Sequence, residues 1–234
     1  MQKRLGNPKL KYSYGSYNKY NDKEQWIRIT EGCPHNCPYC YEPTEIKVFE
    51  VPEIIRNKVK IMDMNMLVPK KKPIQILKQL PIKLNGSGIV KYEFICGIDY
   101  RFITKEVSEE LKKHHFERIR LAWDWTLKDQ YKIKDALIIL YKAGYKPENI
   151  IMFMICNWEI PYDICMKKLD LCKVWNVKVA DCYYDNQIEI FKKFISIGWT
   201  TEQAYDFRRR VRTHNQMVMR KAYPELNNIQ YVNY

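Results

Sequence analysis

No run of this 234-residue chain approaches the roughly 18 uninterrupted apolar residues of a membrane span. Nor is Met1-Gln2-Lys3-Arg4 followed by an apolar stretch of the signal-peptide kind. The expected setting is therefore the cytoplasm, with no membrane attachment. Acidic residues are also in deficit: 27 Asp and Glu stand against 40 Lys and Arg, a formal charge of +13. Such a balance attracts polyanions, and 18 tyrosines add stacking surface, so a nucleic acid enters as a candidate partner. Biased nucleotide content in the coding genome would give the same Lys-, Asn- and Tyr-rich composition.

The most informative shortage is local. Three of the eight cysteines fall in Gly32-Cys33-Pro34-His35-Asn36-Cys37-Pro38-Tyr39-Cys40, and no fourth follows for 55 residues. Proline has no backbone N–H and a fixed φ, so Pro34 and Pro38 favour a turning loop on which the thiolates of Cys33, Cys37 and Cys40 can converge. Three thiolates suit a 4Fe–4S cube that keeps one iron free of protein ligands. A structural zinc site that adds His35 is the alternative, although zinc ligands usually come as two separated pairs. The other cysteines, in a reducing compartment, are thiols or metal ligands and not disulfides. Cys165 and Cys172 share one face of a predicted helix. With Cys182 they read as small buried hydrophobes, a second cluster being the other possibility.

Cys33-x3-Cys37-x2-Cys40, with the aromatic Tyr39 before the last cysteine, resembles the signature of the radical S-adenosylmethionine (radical SAM) superfamily. That resemblance implies a 4Fe–4S cluster on Cys33, Cys37 and Cys40, with the fourth iron chelated by the amino and carboxylate groups of SAM and Tyr39 against the adenine. It implies an electron donor of the flavodoxin or ferredoxin kind. It further implies reductive cleavage of SAM to a 5′-deoxyadenosyl radical that abstracts hydrogen from substrate.

Along the chain, residues 1–23 form a basic, Tyr-rich arm with no periodicity. Glu24–Thr30 alternates as a strand and delivers the cysteine loop. A short helix over Pro52–Asn57, a strand over Val59–Met66, a basic turn at Lys70–Pro73 and a helix over Ile74–Leu80 follow. Val90–Cys96 is a strand, and Thr104 caps a helix with Val107, Leu111 and Phe116 on its apolar face. Arg118–Trp125 is a strand, then a helix from Thr126 stops at Gly144. Ile150–Cys156 reads as a doubly buried strand, before a helix over Pro161–Trp175 and a strand over Val177–Cys182. Residues 187–222 predict two or three more helices, one capped by Thr200 or Thr201, with cationic Arg208-Arg209-Arg210 and Arg212.

Six strands alternating with helices predict an α/β fold with a parallel sheet. The expected organisation is an arm over 1–23, a core over 24–186 and a basic helical extension over 187–234. With the cysteine loop after the first strand, the core resembles the partial (β/α)6 TIM-type barrel of radical SAM enzymes. Site residues are then expected at strand ends. Asp63 and Asn65 stand where the family carries a glycine-glycine-glutamate element that is absent here, and are expected on the SAM amino group. Arg101 can pair with the SAM carboxylate, Asp99 ends the same strand, Asp124 suits the ribose hydroxyls, and Glu159 occupies the position of a family glutamate. Trp123 and Trp125 are candidate substrate platforms. His114 and His115 are expected in solvent, and His214 either in solvent or on substrate.

Modification or repair of a nucleic acid or nucleotide is the function this sequence favours. The loop also resembles that of glycyl-radical activating enzymes, whose substrate is a protein. A zinc-stabilised nucleic-acid-binding module without catalysis is the reading from another class.

Overall fold

Gln25 begins a strand by alternation, and its side chain decides what lies beside that strand. The computed structural model describes residues 13–37, 39–86, 88–124, 126–156, 160–182 and 198–222. Two compact units divide the chain: Met1–Arg120 with Lys134–Tyr145, and Leu121–Ile133 with Lys146–Tyr234. The division falls inside the expected core, within a strand at one point and within a helix at another.

In the first unit a four-stranded sheet runs in the order Tyr17–Tyr20, Gln25–Arg28, Lys58–Ile61, Lys91–Phe94. Its first pair is antiparallel, so the end of the expected arm is an edge strand of the sheet. The other two pairs are parallel. Ile27, Ile61 and Phe94 lie opposite one another and are buried, as are Val59 and Tyr92 in the next row. Phe116 stacks on Tyr92 and Phe94 at 5.2 and 4.7 Å between ring centroids. Helices α1 (Pro73–Gln79) and α2 (Lys105–Lys113) bury Ile76, Leu77, Val107 and Leu111. Thr104 caps α2 as expected, its hydroxyl accepting from the Val107 amide at 3.2 Å.

Two local expectations fail here. Pro52–Asn57 is not helical, because the buried Gln25 amide donates to Glu53 O and accepts from Ile55 N, at 2.8 and 2.9 Å, and so holds that backbone extended. His114 is buried, within 3.4 Å of Glu110.

The second unit pairs Ile150–Ile155 in parallel with Lys178–Cys182, from Ile151 opposite Lys178 to Ile155 opposite Cys182. Helix α3 (Gln130–Lys142) straddles the division and stops at Gly144, whose φ of +89° suits glycine. Thr126 caps as expected, accepting from Lys128 N, but it opens a 3-10 turn over Leu127–Asp129 and the α-helix begins one turn later than expected. Helix α4 (Tyr162–Val174) buries Cys165, Leu169 and Cys172, in keeping with their reading as small hydrophobes.

Helix α5 (Thr201–Met219) starts at a Thr200–Gln203 capping box. It is the one helix described in the expected extension; residues 183–197 lie outside the described residues. The helix docks by polar contacts that its sequence pattern does not reveal. Asn215 accepts from Val179 N at 2.8 Å and donates to Val179 O at 2.7 Å. His214, expected in solvent or on substrate, is buried with Nε2 2.7 Å from Val177 O.

The chain is thus mixed α/β with parallel sheets and helices, and its described residues form no closed barrel. Among them no helix is long and apolar enough to cross a membrane.

Burial lowers the pKa of both His114 and His214 below the ordinary imidazole value. Their neutral form is the one the fold accepts, so the unfolded chain binds more protons on acidification. Stability should hold above about pH 6.5 and fall below it, by up to about 1.4 kcal/mol per pH unit for each histidine. Urea unfolding across pH checks this, and His214→Gln should flatten part of the dependence.

Candidate functional site

A strand that runs into a tight loop leaves its last amides in need of acceptors. Here one carboxylate, reaching over from the loop after the parallel neighbour, supplies them. Asp63 is fully buried; Oδ1 accepts from Ile29 N at 3.0 Å, and Oδ2 accepts from Thr30 N and Thr30 Oγ1 at 2.7 and 2.6 Å. Thr30–Glu31 then pairs antiparallel with Lys47–Val48, which closes the base of the cysteine loop.

Gly32 opens that loop under two constraints. Its φ is +90°, and a Cβ would lie 1.8 Å from Glu45 O, so no side chain fits. Its amide donates to the buried Glu42 at 2.6 Å. The Cys33 amide donates to Pro43 O at 2.8 Å, and Cys40 N to Cys37 O at 3.0 Å. Asn36 takes the left-handed φ of +44° that asparagine tolerates.

Cys33, Cys37 and Cys40 are all partly exposed on this loop, and Tyr39 is half-buried beside them. Two of the sulfurs already accept hydrogen bonds: Cys33 from Asn65 Nδ2 at 3.7 Å and Cys40 from Glu42 N at 3.4 Å. Burial pushes the Cys40 thiol up to about 11, and the neighbouring Cys37, Glu42 and Cys33 add to the rise. Three thiols that influence one another on a single glycine-hinged loop fit a cube with three protein ligands. Their present side-chain positions are not yet those of a ligand set. Among the described residues, no three His, Cys, Asp or Glu side chains are grouped to hold a metal ion.

Around the loop the strand-end residues take distinct places. Asn65 is buried, and its Oδ1 has no hydrogen-bond partner among the described residues. Its backbone carbonyl accepts from Lys71 Nζ at 2.9 Å. Lys71 was expected in an exposed basic turn. It is instead fully buried, a cation among Asp63, Glu42, Cys33 and Glu31, while Lys70 and Lys72 remain outside. Burial lowers the Lys71 pKa and raises those of Asp63 and Glu42.

Arg101 is not open for a bound carboxylate. Its Nε and Nη2 grip Asp99 at 2.8 and 2.7 Å. His35 joins them, with Nε2 2.6 Å from Asp99 Oδ2 and its ring stacked on Phe102 at 5.8 Å. The imidazole of the zinc alternative is thereby turned to Asp99. Asp124 is half-buried in the second unit, within electrostatic reach of Lys168. Glu159 and Trp125 lie outside the described residues. Trp123 is core, 1% exposed, its Nε1 donating to Thr126 O at 3.0 Å. Of the α5 arginines, Arg208 pairs with Asp181 and both Arg209 and Arg210 with Asp206, so much of that cationic run is already satisfied.

Sequence reasoning singled out Cys33, Cys37, Cys40, Asp63 and Asn65 as candidates, and did not single out Glu42 and Lys71, which the fold buries beside them. A glutamate two residues beyond the last cysteine and a lysine in a run of three look like solvated charges. Only the fold buries them.

Gly32→Ala should be among the most damaging single changes in this unit. Left-handed backbone strain alone costs about 1–2 kcal/mol, and the clash with the Glu45 carbonyl adds to it. Denaturant unfolding should show a loss of at least about 2 kcal/mol, larger than that for Gly86→Ala, which shares the left-handed strain at φ +74° but whose added Cβ meets nothing within 4 Å.

No family profile matches this chain, and no curated protein is detectably similar to it.

Proposed function

We propose that this chain is a radical SAM enzyme, built on a partial (β/α)6-type barrel. One observation carries the reading: three part-exposed thiols occupy a single glycine-hinged loop at the C-terminal end of a parallel strand, beside a buried Asn65 oxygen without a partner. Cys33, Cys37 and Cys40 would hold a 4Fe–4S cluster with one open iron, the place where SAM chelates. When bound, the cluster would supply the one-electron reducing chemistry that cleaves SAM to methionine and a 5′-deoxyadenosyl radical able to take hydrogen from substrate. A small cytoplasmic electron carrier of the flavodoxin or ferredoxin kind would deliver that electron.

The residues around the loop have separable tasks in this scheme. Asn65 Oδ1, an acceptor already desolvated, suits the ammonium of a bound amino acid, and its amide donates to Cys33. Asp63 fixes the strand end from which the loop departs. Glu42 ties the far end of the loop to Gly32 at its start, and Lys71 supplies a buried positive charge beside them. His35 and Arg101 share Asp99 and brace the loop from its other flank, which leaves three thiols and no imidazole and weighs against zinc.

Anaerobic reconstitution should give about four irons per chain, and strong reductant should release 5′-deoxyadenosine and methionine from added SAM. Cys37→Ala should abolish both cluster retention and cleavage. One tightly held zinc, no iron uptake and a colourless protein would overturn the proposal.

A further inference from the structure

The sheet of the first unit has a second face, opposite its buried one. Directly opposed residues on paired strands share a side. The register therefore sets Tyr17 beside Arg28, and Lys19, Trp26, Lys60 and Glu93 in one continuous row. The alternate positions, Ile27, Ile61 and Phe94, are the buried ones.

The resulting face interleaves rings with cations. Tyr14, Tyr17 and Trp26 supply the rings; Lys19, Arg28, Lys60 and Arg120 supply the charge. Glu93 is the carboxylate of these rows, and it pairs with Lys60 and Arg120. The side chains of Lys19 and Arg28 make no hydrogen bond or ion pair among the described residues, and Arg28 lies within electrostatic reach of Glu42. The Lys19 ammonium lies 5.6 Å from the centre of the Tyr17 ring, and the Arg28 guanidinium 4.6 Å from that of Tyr14. Tyr14 is 55% exposed, and Lys19 is exposed on the edge strand.

Flat rings alternating with unspent positive charge match a ligand made of flat π-surfaces joined by anionic links. Single-stranded nucleic acid has that chemistry, since each base offers a face to stack on and each phosphate a charge to neutralise. A duplex hides its base faces, and an acidic peptide has no ladder of rings. We propose that this sheet face binds single-stranded nucleic acid, with bases stacked on Tyr14, Tyr17 and Trp26 and phosphates held by Lys19 and Arg28. The inference stands on the sheet face alone and does not rest on the iron chemistry, to which it would add a substrate class.

Fluorescence anisotropy with the full chain tests it, using labelled oligo(dT) and oligo(rU) of about 12 nucleotides and a duplex of equal length over a salt series. The single strands should bind more tightly than the duplex. Tyr17→Ala should weaken them about tenfold, and Lys19→Gln and Arg28→Gln should each reduce the logarithmic salt slope by about 0.7. Arg212→Gln on α5 should leave affinity unchanged. If circular dichroism shows that Tyr17→Ala disturbs the fold, the exposed Tyr14→Ala carries the same expectation. No binding at about 50 mM salt, equal affinity for duplex, or full affinity in the Tyr14 and Arg28 variants would overturn the proposal. Iron content and SAM cleavage measured on the same samples separate the two readings. Binding lost with cleavage kept removes the face alone; binding kept without iron removes the enzyme chemistry alone.

Discussion

The Asp63 carboxylate is the contact on which the candidate site depends. It gathers two backbone amides and a hydroxyl at the end of one strand while belonging to the loop after that strand's parallel neighbour. Parallel strands share no hairpin, so nothing local fixes where one ends relative to the next. A buried carboxylate with both oxygens directed at one strand end provides that fixation. Its desolvation is costly and raises its pKa, and the donated hydrogen bonds together with the nearby Lys71 charge offset part of that cost.

The same logic extends outward from Asp63. Lys71 is a buried cation because Asp63, Glu42 and Glu31 surround it, and Glu42 is buried because it accepts from Gly32. Removing any one member leaves another charged group in low dielectric without its counterpart, so the set is expected to act as a unit. The loop it supports carries three accessible thiols, two of them already accepting hydrogen bonds from Asn65 and Glu42. On the opposite flank, Asp99 does for His35 and Arg101 what Asp63 does for the strand end.

Polar side chains that bond to backbone recur wherever the elements had to be placed and not merely formed. Gln25 holds 53–55 extended where local sequence favoured a helix start, and Asn215 and His214 seat α5 on the Val177–Val179 backbone. Gln25 and Asn215 drew no expectation of their own from the sequence, and His214 was expected in solvent or on substrate. A glutamine in an alternating strand and an asparagine in a polar helix carry no periodic signal, because their partners are backbone groups tens of residues away.

By itself the sequence determined the main alternation of strands and helices from Gln25 onward, the cap at Thr104, a cap at Thr200 or its neighbour, the stop at Gly144 and the cysteine loop at the end of a strand. These depend on side-chain alternation, on local side-chain-to-backbone bonds and on φ preferences, all of which act within a few residues. Only the tertiary structure decided which charges are inside. Lys71, Glu42 and His214 are buried and Arg101 is spent on Asp99, because burial and pairing depend on what the fold brings near from elsewhere in the chain. The cationic, aromatic sheet face likewise exists only through strand register, which aligns Tyr17 with Arg28 and Lys19 with Trp26 across a turn and Trp26 with Lys60 across more than thirty residues of chain.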